Sequence, residues 1–207
     1  NNASITSGYP SIIDVRSFVD FMLLNELASN PDAYQFSTYF HKDRNGKLRA
    51  GPIWDLNLTY GNDLFIYGFD RSKPDIWQFE NGDNDGSKFW RDLFYSPKFR
   101  CQLAKRWNEL TQPGQPFDKA QLYSFIDQTV ATISEALVRE EARWGSIGDH
   151  ASEINSIKAF LDVRLNWITA NIGTFTDCSQ VPPPLVISKI MYNPLSGSAS
   201  IKSSDLE

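Results

Sequence analysis

Apolar residues at helical spacing first occur at 14–29, where the sequence reads DVRSFVDFMLLNELAS. These apolar positions cover much of the helical circumference, so they predict a helix that is largely buried. Asp14 or Ser17 can cap its N-terminus. Pro31 disfavours helical geometry at Asn30, and we therefore expect the helix to stop before it.

The next segment alternates between apolar and polar residues instead. Residues 36–41 and 47–54 therefore predict two strands. The DRNG sequence between them contains Asn-Gly, a strong signal for a hairpin turn. Asp32 precedes the first strand and Asp55 follows the second. Because the two open ends of an antiparallel hairpin meet, we expect these carboxylates to be neighbours in space.

A polar loop and three helical stretches complete the pattern. Residues 61–87 are rich in Gly, Asp and Asn, and predict a loop that folds over the open end of the hairpin. Apolar residues at helical spacing then predict helices over 88–110 (interrupted at Ser96 and Pro97), about 118–144, and about 152–172. The expected fold class is α+β, mainly α with a central β-hairpin.

Composition excludes several classes of protein. Hydrophobic residues make up 41% of the 207 residues, enough for a sizeable core and too many for a disordered chain. The net charge of −5 argues against nucleic-acid binding, which depends on neutralising phosphates. No window approaches eighteen apolar residues, so we expect no membrane span. The chain begins NNASITSGYP, without Met or a signal peptide, and we expect a piece of a longer protein.

Two cysteines leave the redox state open. Cys101 lies in a helical pattern and Cys178 lies after the last one. With two His residues and no CxxC pair, a structural zinc site is not expected. The cysteines can form a disulfide if the protein is secreted, or they can remain free thiols.

The composition changes after Gly173, a good helix stop. The SQVPPPL sequence predicts a stiff linker over 174–184. LVISKIMYNP then reads as a strand that opens a further domain, of which 185–207 is a stub. The expected organisation is therefore a main domain at 1–173, the linker, and this β stub.

Two acidic residues at one open end of a hairpin suit several tasks. They can bind a divalent cation, act as an acid–base pair, or share phosphoryl transfer, one holding Mg²⁺ and the other orienting a hydroxyl. Two turn residues that hydrogen-bond their own backbones are the structural alternative. Protein kinases place an Asp base, an Asn five residues later, a hairpin and a metal-binding Asp in this order. Here the order is Asp32, Ser37, hairpin, Asp55.

The sequence NELASNPDAYQFSTYFHKDRNGKLRAGPIWDLNLTYGN, at 25–62, resembles the spore coat protein H (CotH) kinase family. FWRDLFYSPKFRCQLAKRWNEL and IKAFLDVRLNWI are similar to the helices that follow in that family. The resemblance covers roughly residues 10–172. It implies the C-terminal lobe of an atypical, kinase-like fold in a secreted or surface-associated protein.

By this resemblance, Asp32 is the catalytic Asp, Asp55 binds the metal, and Ser37 and Asn57 contact the nucleotide, Asn57 also assisting at the metal. The resemblance implies ATP with Mg²⁺ or Mn²⁺ as cofactor, and Ser or Thr of an extracellular or cell-surface protein as substrate. Spore-coat members carry Asn where Ser37 stands and Asp where Asn57 stands. No kinase N-terminal lobe precedes Asp14, so we expect this piece alone to transfer little or no phosphate.

Two other functions stay open. The residues at Ser37 and Asn57 also fit a pseudokinase-like scaffold or adhesion module of a secreted multidomain protein. PPPLVISKIMYNPLSG is similar to the first strand of a lamin-tail domain, and such a neighbour favours a binding role. Asp32 and Asp55 could alternatively serve glycoside binding or hydrolysis. The sequence does not indicate an oligomeric state.

Other conspicuous residues have structural explanations. Asn25 and Glu26 are expected at the surface or in buried hydrogen bonds, and Arg106 and Arg164 are expected to brace acidic residues rather than bind substrate. The tryptophans in helical patterns are expected in the core: Trp90, Trp107, Trp144 and Trp167.

Two polar turns could add ligands. Asn62 and Asp63 follow Asp55 and carry suitable oxygens, although ordinary turn chemistry explains them equally well. Asp83 and Asp85 resemble part of a calcium loop, but the closing Glu of an EF-hand is missing, so we expect a solvated loop there.

Overall fold

The computed structural model describes residues 3–62, 72–81, 86, 88–176 and 178. Its helices are α1 (Tyr9–Ile12), α2 (Val15–Ala28), α3 (Phe89–Phe94), α4 (Pro97–Leu110), α5 (Lys119–Trp144) and α6 (His150–Asn171), with a 3-10 helix at Gln78–Glu80. Strands β1 (Phe40–His41) and β2 (Arg49–Ala50) form an antiparallel hairpin. The predicted α+β class, mainly α with a central β-hairpin, is confirmed.

The strands are much shorter than the alternation predicted. Phe40 pairs with Ala50 and His41 with Arg49, and the ladder goes no further. On one side, Gly51 has a positive φ of 124° and is followed by a proline, which has no N–H to donate. On the other side, residues 31–37 fold into turns. The predicted strands at 36–41 and 47–54 were therefore too long, and the candidate residues lie in turns and irregular segments rather than in strands.

α2 forms the centre of the core. Asp14 caps its N-terminus by accepting a hydrogen bond from the Ser17 amide (3.1 Å), as expected. Phe18 and Phe21 are buried, and their rings lie 5.1 and 5.2 Å from that of Trp90 on α3. α2 also packs against α4, α6 and β2. The helix that leads into the Asp32 segment is therefore held on several sides.

A buried ion pair joins α2 to α6. Arg164 Nη2 donates to Glu26 Oε2 over 2.9 Å, and both side chains are almost completely withdrawn from solvent. Arg164 also donates to the main-chain oxygens of Glu26 (2.7 Å), Pro74 (2.8 Å) and Ile76. Burial raises the pKa of the Glu26 carboxyl, and the Arg164 charge opposes that shift. Arg164 thus braces an acidic residue, as the sequence predicted, and so does Arg106, which donates to Asp20 (2.8 Å).

α5 and the first part of α6 form a two-helix arm. None of the described α5 residues is buried. Tyr123 Oη donates to the Lys158 carbonyl (2.7 Å), and Lys158 Nζ pairs with Asp127 (2.5 Å), so polar contacts join the two helices. Trp144 at the end of α5 is 65% exposed, which makes the prediction of a core position wrong for this residue. Its place at the far end of the arm leaves no layer to cover it.

A disulfide joins Cys101 on α4 to Cys178, 77 residues later in the chain. Gln102 Nε2 donates to the Cys178 carbonyl (3.1 Å) beside it. Of the two states that the sequence left open, the structure therefore has the disulfide. No helix among the described residues is long and apolar enough to cross a membrane.

Candidate active site

Consecutive turns between α2 and β1 carry Asp32 and Ser37. α2 ends where Ser29 takes a left-handed backbone conformation, with a φ of 51°. The Asp32 carbonyl then accepts hydrogen bonds from the amides of Phe36 (3.1 Å) and Ser37 (3.2 Å). These bonds close the turn, so Asp32 and Ser37 are direct neighbours.

Asp55 follows β2, and its carboxylate contacts the same turn. Ser37 Oγ donates a hydrogen bond to Asp55 Oδ2 over 3.2 Å. Ser37 is buried (4% exposed), whereas Asp55 is exposed to solvent. Asp55 also has a positive φ of 61°, uncommon for a residue with a side chain. The structure therefore links the backbone of Asp32 to Ser37, and the Ser37 side chain to the Asp55 carboxylate.

Asn57 lies on the turn that follows Asp55. Its carbonyl accepts a hydrogen bond from Asn62 Nδ2 (2.8 Å). The Tyr60 amide donates to the Ala28 carbonyl (2.8 Å), which attaches this turn to the end of α2. Within the described residues, no hydrogen bond joins the Asn57 side chain to Asp32, Ser37 or Asp55. Asn57 is exposed to solvent.

The donor atoms at this point fit a hard divalent cation. Asp55 offers a carboxylate, Ser37 a hydroxyl oxygen and Asn57 an amide oxygen. Mg²⁺ prefers such oxygen ligands and is commonly held by one or two carboxylates together with substrate phosphates. Among the residues that the structure describes, no three His, Cys, Asp or Glu side chains form a metal-binding group. Asp55 is therefore the one carboxylate in this set of oxygen donors.

Exposed apolar side chains flank the site. They are Phe36 (70% exposed), Tyr39 (50%), Trp54 (48%) and Leu56 (39%). The rings of Tyr39 and Trp54 lie 5.5 Å apart. Phe36 directly precedes Ser37, and Trp54 directly precedes Asp55. Apolar surface beside polar groups suits an organic ligand or a polypeptide.

A cavity of about 430 Å³ lies elsewhere, between α1 and α3. Its lining includes Tyr9, Ile12, Phe89 and Leu93, and is mostly apolar. Asp32, Ser37 and Asp55 are not part of that lining. The chemistry that the carboxylates allow therefore belongs to the surface of the turn and not to this cavity.

Tyr34 supports the turn from inside, and sequence reasoning did not single it out. Its amide donates to Thr38 Oγ1 (2.9 Å), and its hydroxyl donates to Glu26 Oε1 (2.8 Å). Burial raises the pKa of the Tyr34 phenol well above its usual value, and the Glu26 carboxylate raises it further. The only sequence signal was an aromatic residue inside a turn-rich segment.

Several predicted features fall outside the described residues. They are Asp63, Asp83 and Asp85, most of the predicted linker, and the β stub at 185–207. Their roles and the domain boundaries after 173 stay predictions.

A comparison with protein families identifies the chain. The model of the family described as CotH kinase protein matches residues 1–168. The chain belongs to the CotH kinase family. Neither a search of curated proteins nor one of solved structures gave a match. As a CotH member, the chain carries a kinase-like domain, and protein kinases use ATP with a divalent metal to phosphorylate protein substrates.

Proposed function

We propose that this CotH kinase domain transfers the γ-phosphoryl group of ATP to a Ser or Thr hydroxyl of an extracellular or cell-surface protein. The hydrogen bond from Ser37 Oγ to Asp55 Oδ2 (3.2 Å) carries the proposal. It joins the turn that contains Asp32 to the segment that follows β2, at the open end of the hairpin. This contact supports a site that uses the solvent-facing Asp55 carboxylate together with Asp32, the pair of groups that phosphoryl transfer needs.

Each residue of the site has its own role in the proposed reaction. Asp55 and Asn57 would hold Mg²⁺ or Mn²⁺, and Ser37 would orient the Asp55 carboxylate through its hydrogen bond and contact the nucleotide. When bound, the cation neutralises charge on the phosphates. Asp32 accepts the proton of the substrate hydroxyl, and the oxygen of that hydroxyl forms a bond to the γ-phosphorus of ATP. The bond from that phosphorus to the bridging oxygen breaks, and ADP leaves with this oxygen.

The residues at 37 and 57 bear on how tightly the metal binds. The Ser37 hydroxyl donates one hydrogen bond to Asp55 Oδ2, which leaves the other lone pairs of the carboxylate available. Asn57 contributes an amide oxygen without a charge. The site therefore presents one carboxylate to the cation, and we expect metal binding that depends strongly on the phosphates of ATP.

The Cys101–Cys178 disulfide supports a location outside the cytosol. Disulfides persist in oxidising compartments and are rare where thiols are kept reduced. We therefore place the domain outside the cell or on its surface, and its protein substrate in the same compartment.

A non-enzymatic scaffold or adhesion module is the second candidate. The exposed apolar residues on α5 favour it, since Phe125 is 70% and Val138 71% exposed. Apolar groups displayed on a protruding arm suit contact with another protein. In that case the Asp55 site would bind metal and nucleotide weakly or not at all.

Phosphate transfer by the full-length natural protein tests the proposal. The protein is incubated with labelled ATP and Mg²⁺ or Mn²⁺, beside Asp32→Ala, Asp55→Ala and the matched control Asp43→Ala. Asp43 is an exposed carboxylate in the turn of the same hairpin, away from its open end. We expect transfer by the wild type and by the control, and loss in both site variants. A wild type that neither transfers phosphate nor binds ATP with metal would favour the scaffold instead.

A further inference from the structure

Asn30 connects the end of α2 to Asp32 and is completely buried (0% exposed). Its Oδ1 accepts a hydrogen bond from the Asp32 amide (3.2 Å), and its Nδ2 donates to Asn25 Oδ1 (3.0 Å). Asn25 is 1% exposed, and its Nδ2 donates to the Phe21 carbonyl inside α2 (3.0 Å). Two buried side-chain amides, which we call the Asn25–Asn30 relay, therefore connect the helix to the backbone of Asp32.

Each amide in this relay has one allowed orientation. The Phe21 carbonyl only accepts hydrogen bonds, so Asn25 must direct Nδ2 toward it and Oδ1 toward Asn30. Asn25 Oδ1 then requires a donor, which directs Asn30 Nδ2 toward Asn25 and Asn30 Oδ1 toward the Asp32 amide. Because buried polar groups without partners are costly, this orientation is strongly held.

The backbone of Asp32 is fixed on both sides. Its N–H is bound by Asn30, and its C=O accepts from the amides of Phe36 and Ser37. Pro31, between Asn30 and Asp32, has a restricted φ and no N–H of its own. The peptide groups on either side of the Asp32 side chain therefore have little freedom to rotate.

We propose that Asn30 is a positioning residue, which orients Asp32 for proton acceptance without touching the substrate. This inference rests on the proposed function. Only the side chain of Asn30 makes contacts that depend on the residue being Asn. Its backbone N–H donates to the Asn25 carbonyl (3.0 Å), and its backbone carbonyl accepts from the Ala33 amide (3.2 Å), as any residue could. A substitution at 30 can keep these backbone bonds and remove only the relay.

Amide hydrogen exchange measured by NMR tests the contact itself, whether or not the protein transfers phosphate. We expect Asn30→Ala to speed exchange of the Asp32 amide at least tenfold relative to wild type. The matched control is Ser29→Ala, which removes a different buried hydrogen bond one residue away, to Gln78 Nε2 (2.7 Å). Ser29→Ala should leave exchange at Asp32 close to its wild-type rate.

Steady-state kinetics of the full-length protein test the positioning role. A small misplacement of a reacting group can cost about 100-fold in rate. We therefore expect Asn30→Ala to lower kcat about 100-fold while KM for ATP stays unchanged. Asn30→Ser should restore part of kcat, because a Ser hydroxyl can accept from the amide two residues on.

The outcomes separate this inference from the proposed function. The inference about Asn30 is overturned if the Asp32 amide of Asn30→Ala exchanges at the wild-type rate. It is also overturned if Asn30→Ala and Ser29→Ala have similar melting temperatures and Asn30→Ala loses no more kcat than Ser29→Ala. If the wild type transfers no phosphate, the proposed function fails. The exchange comparison then decides alone whether Asn30 holds Asp32.

Discussion

At the scale of single residues, the candidate site is built on backbone conformations that L-residues rarely adopt. Ser29, Tyr34 and Asp55 have φ values of 51°, 74° and 61°. Such left-handed positions cost about 1–3 kcal/mol each for residues other than Gly. All three also make side-chain hydrogen bonds in or beside the site, to Gln78, Glu26 and Ser37. These bonds offset part of the backbone cost.

The buried Tyr34 phenol gives a pH-dependent test of this support. Its pKa in the folded protein is raised well above the ordinary value of 10.0. Its contribution to stability is therefore complete below about pH 10 and falls as pH rises through the folded-state pKa. Below pH 10, Tyr34→Phe should lower the free energy of unfolding by about 1.5–3 kcal/mol, because the hydrogen bond to Glu26 is lost.

We expect the stability gap between wild type and Tyr34→Phe to narrow above about pH 10. Urea denaturation at a series of pH values measures the gap, and the other tyrosines cancel in the comparison. Tyr39→Phe, at a half-exposed ring, is the control and should show no such gap. A gap that widens with pH would contradict the account of Tyr34.

At the scale of elements, local patterns predicted helices better than strands. Helical spacing is a local property, so α2, α4, α5 and α6 occur close to their predicted places. Alternation at 36–41 predicted a strand, but the bonds from the Asp32 carbonyl fold its start into turns. Strand length depends on a partner, and the partner strand stops at Gly51 and Pro52.

The candidate site was predictable only in part for the same reason. The types and order of Asp32, Ser37 and Asp55 could be read from the sequence. The Ser37–Asp55 bond and the Asn25–Asn30 relay depend on how the turn packs on α2, which no local pattern contains. Asn30 was visible only as the residue before a proline.

The Glu26–Arg164 pair tests how firmly α2 is joined to α6. Arg164→Leu would leave the buried Glu26 carboxylate without its cation, and breaking such a pair costs about 3–5 kcal/mol. The matched control is Arg139→Leu on α5, which breaks an exposed pair with Glu135 and should cost under about 1 kcal/mol. Equal losses in the two variants, measured by urea denaturation, would show that the buried pair has no special role.

At the scale of the whole molecule, the described part of the chain consists of a packed body and a two-helix arm. The body is centred on α2, with aromatic residues of α3 against it. The arm, formed by α5 and the first part of α6, exposes apolar residues such as Phe125 and Val138. The disulfide returns the segment after α6 to α4. The site therefore lies on the body, and the arm is free for contacts that the site does not need.

Removing the disulfide tests this closure of the chain. A bridge across 77 residues restricts the unfolded chain and typically contributes about 2–4 kcal/mol. We expect the double variant Cys101→Ala, Cys178→Ala to lose about this much in urea denaturation. A reductant should lower the stability of wild type and leave the double variant unchanged. Wild type that is insensitive to the reductant would argue against a stabilising bridge.

The central claim is that Asp32 and Asp55 have different roles at one site. Calorimetric titration of ATP with Mn²⁺ into the full-length protein tests it most directly, using Asp32→Asn and Asp55→Asn. We predict that the Asp32 variant binds ATP with Mn²⁺ like wild type, and that the Asp55 variant loses metal-dependent binding. Undiminished binding by Asp55→Asn, or equal loss in both variants, would contradict this division of roles.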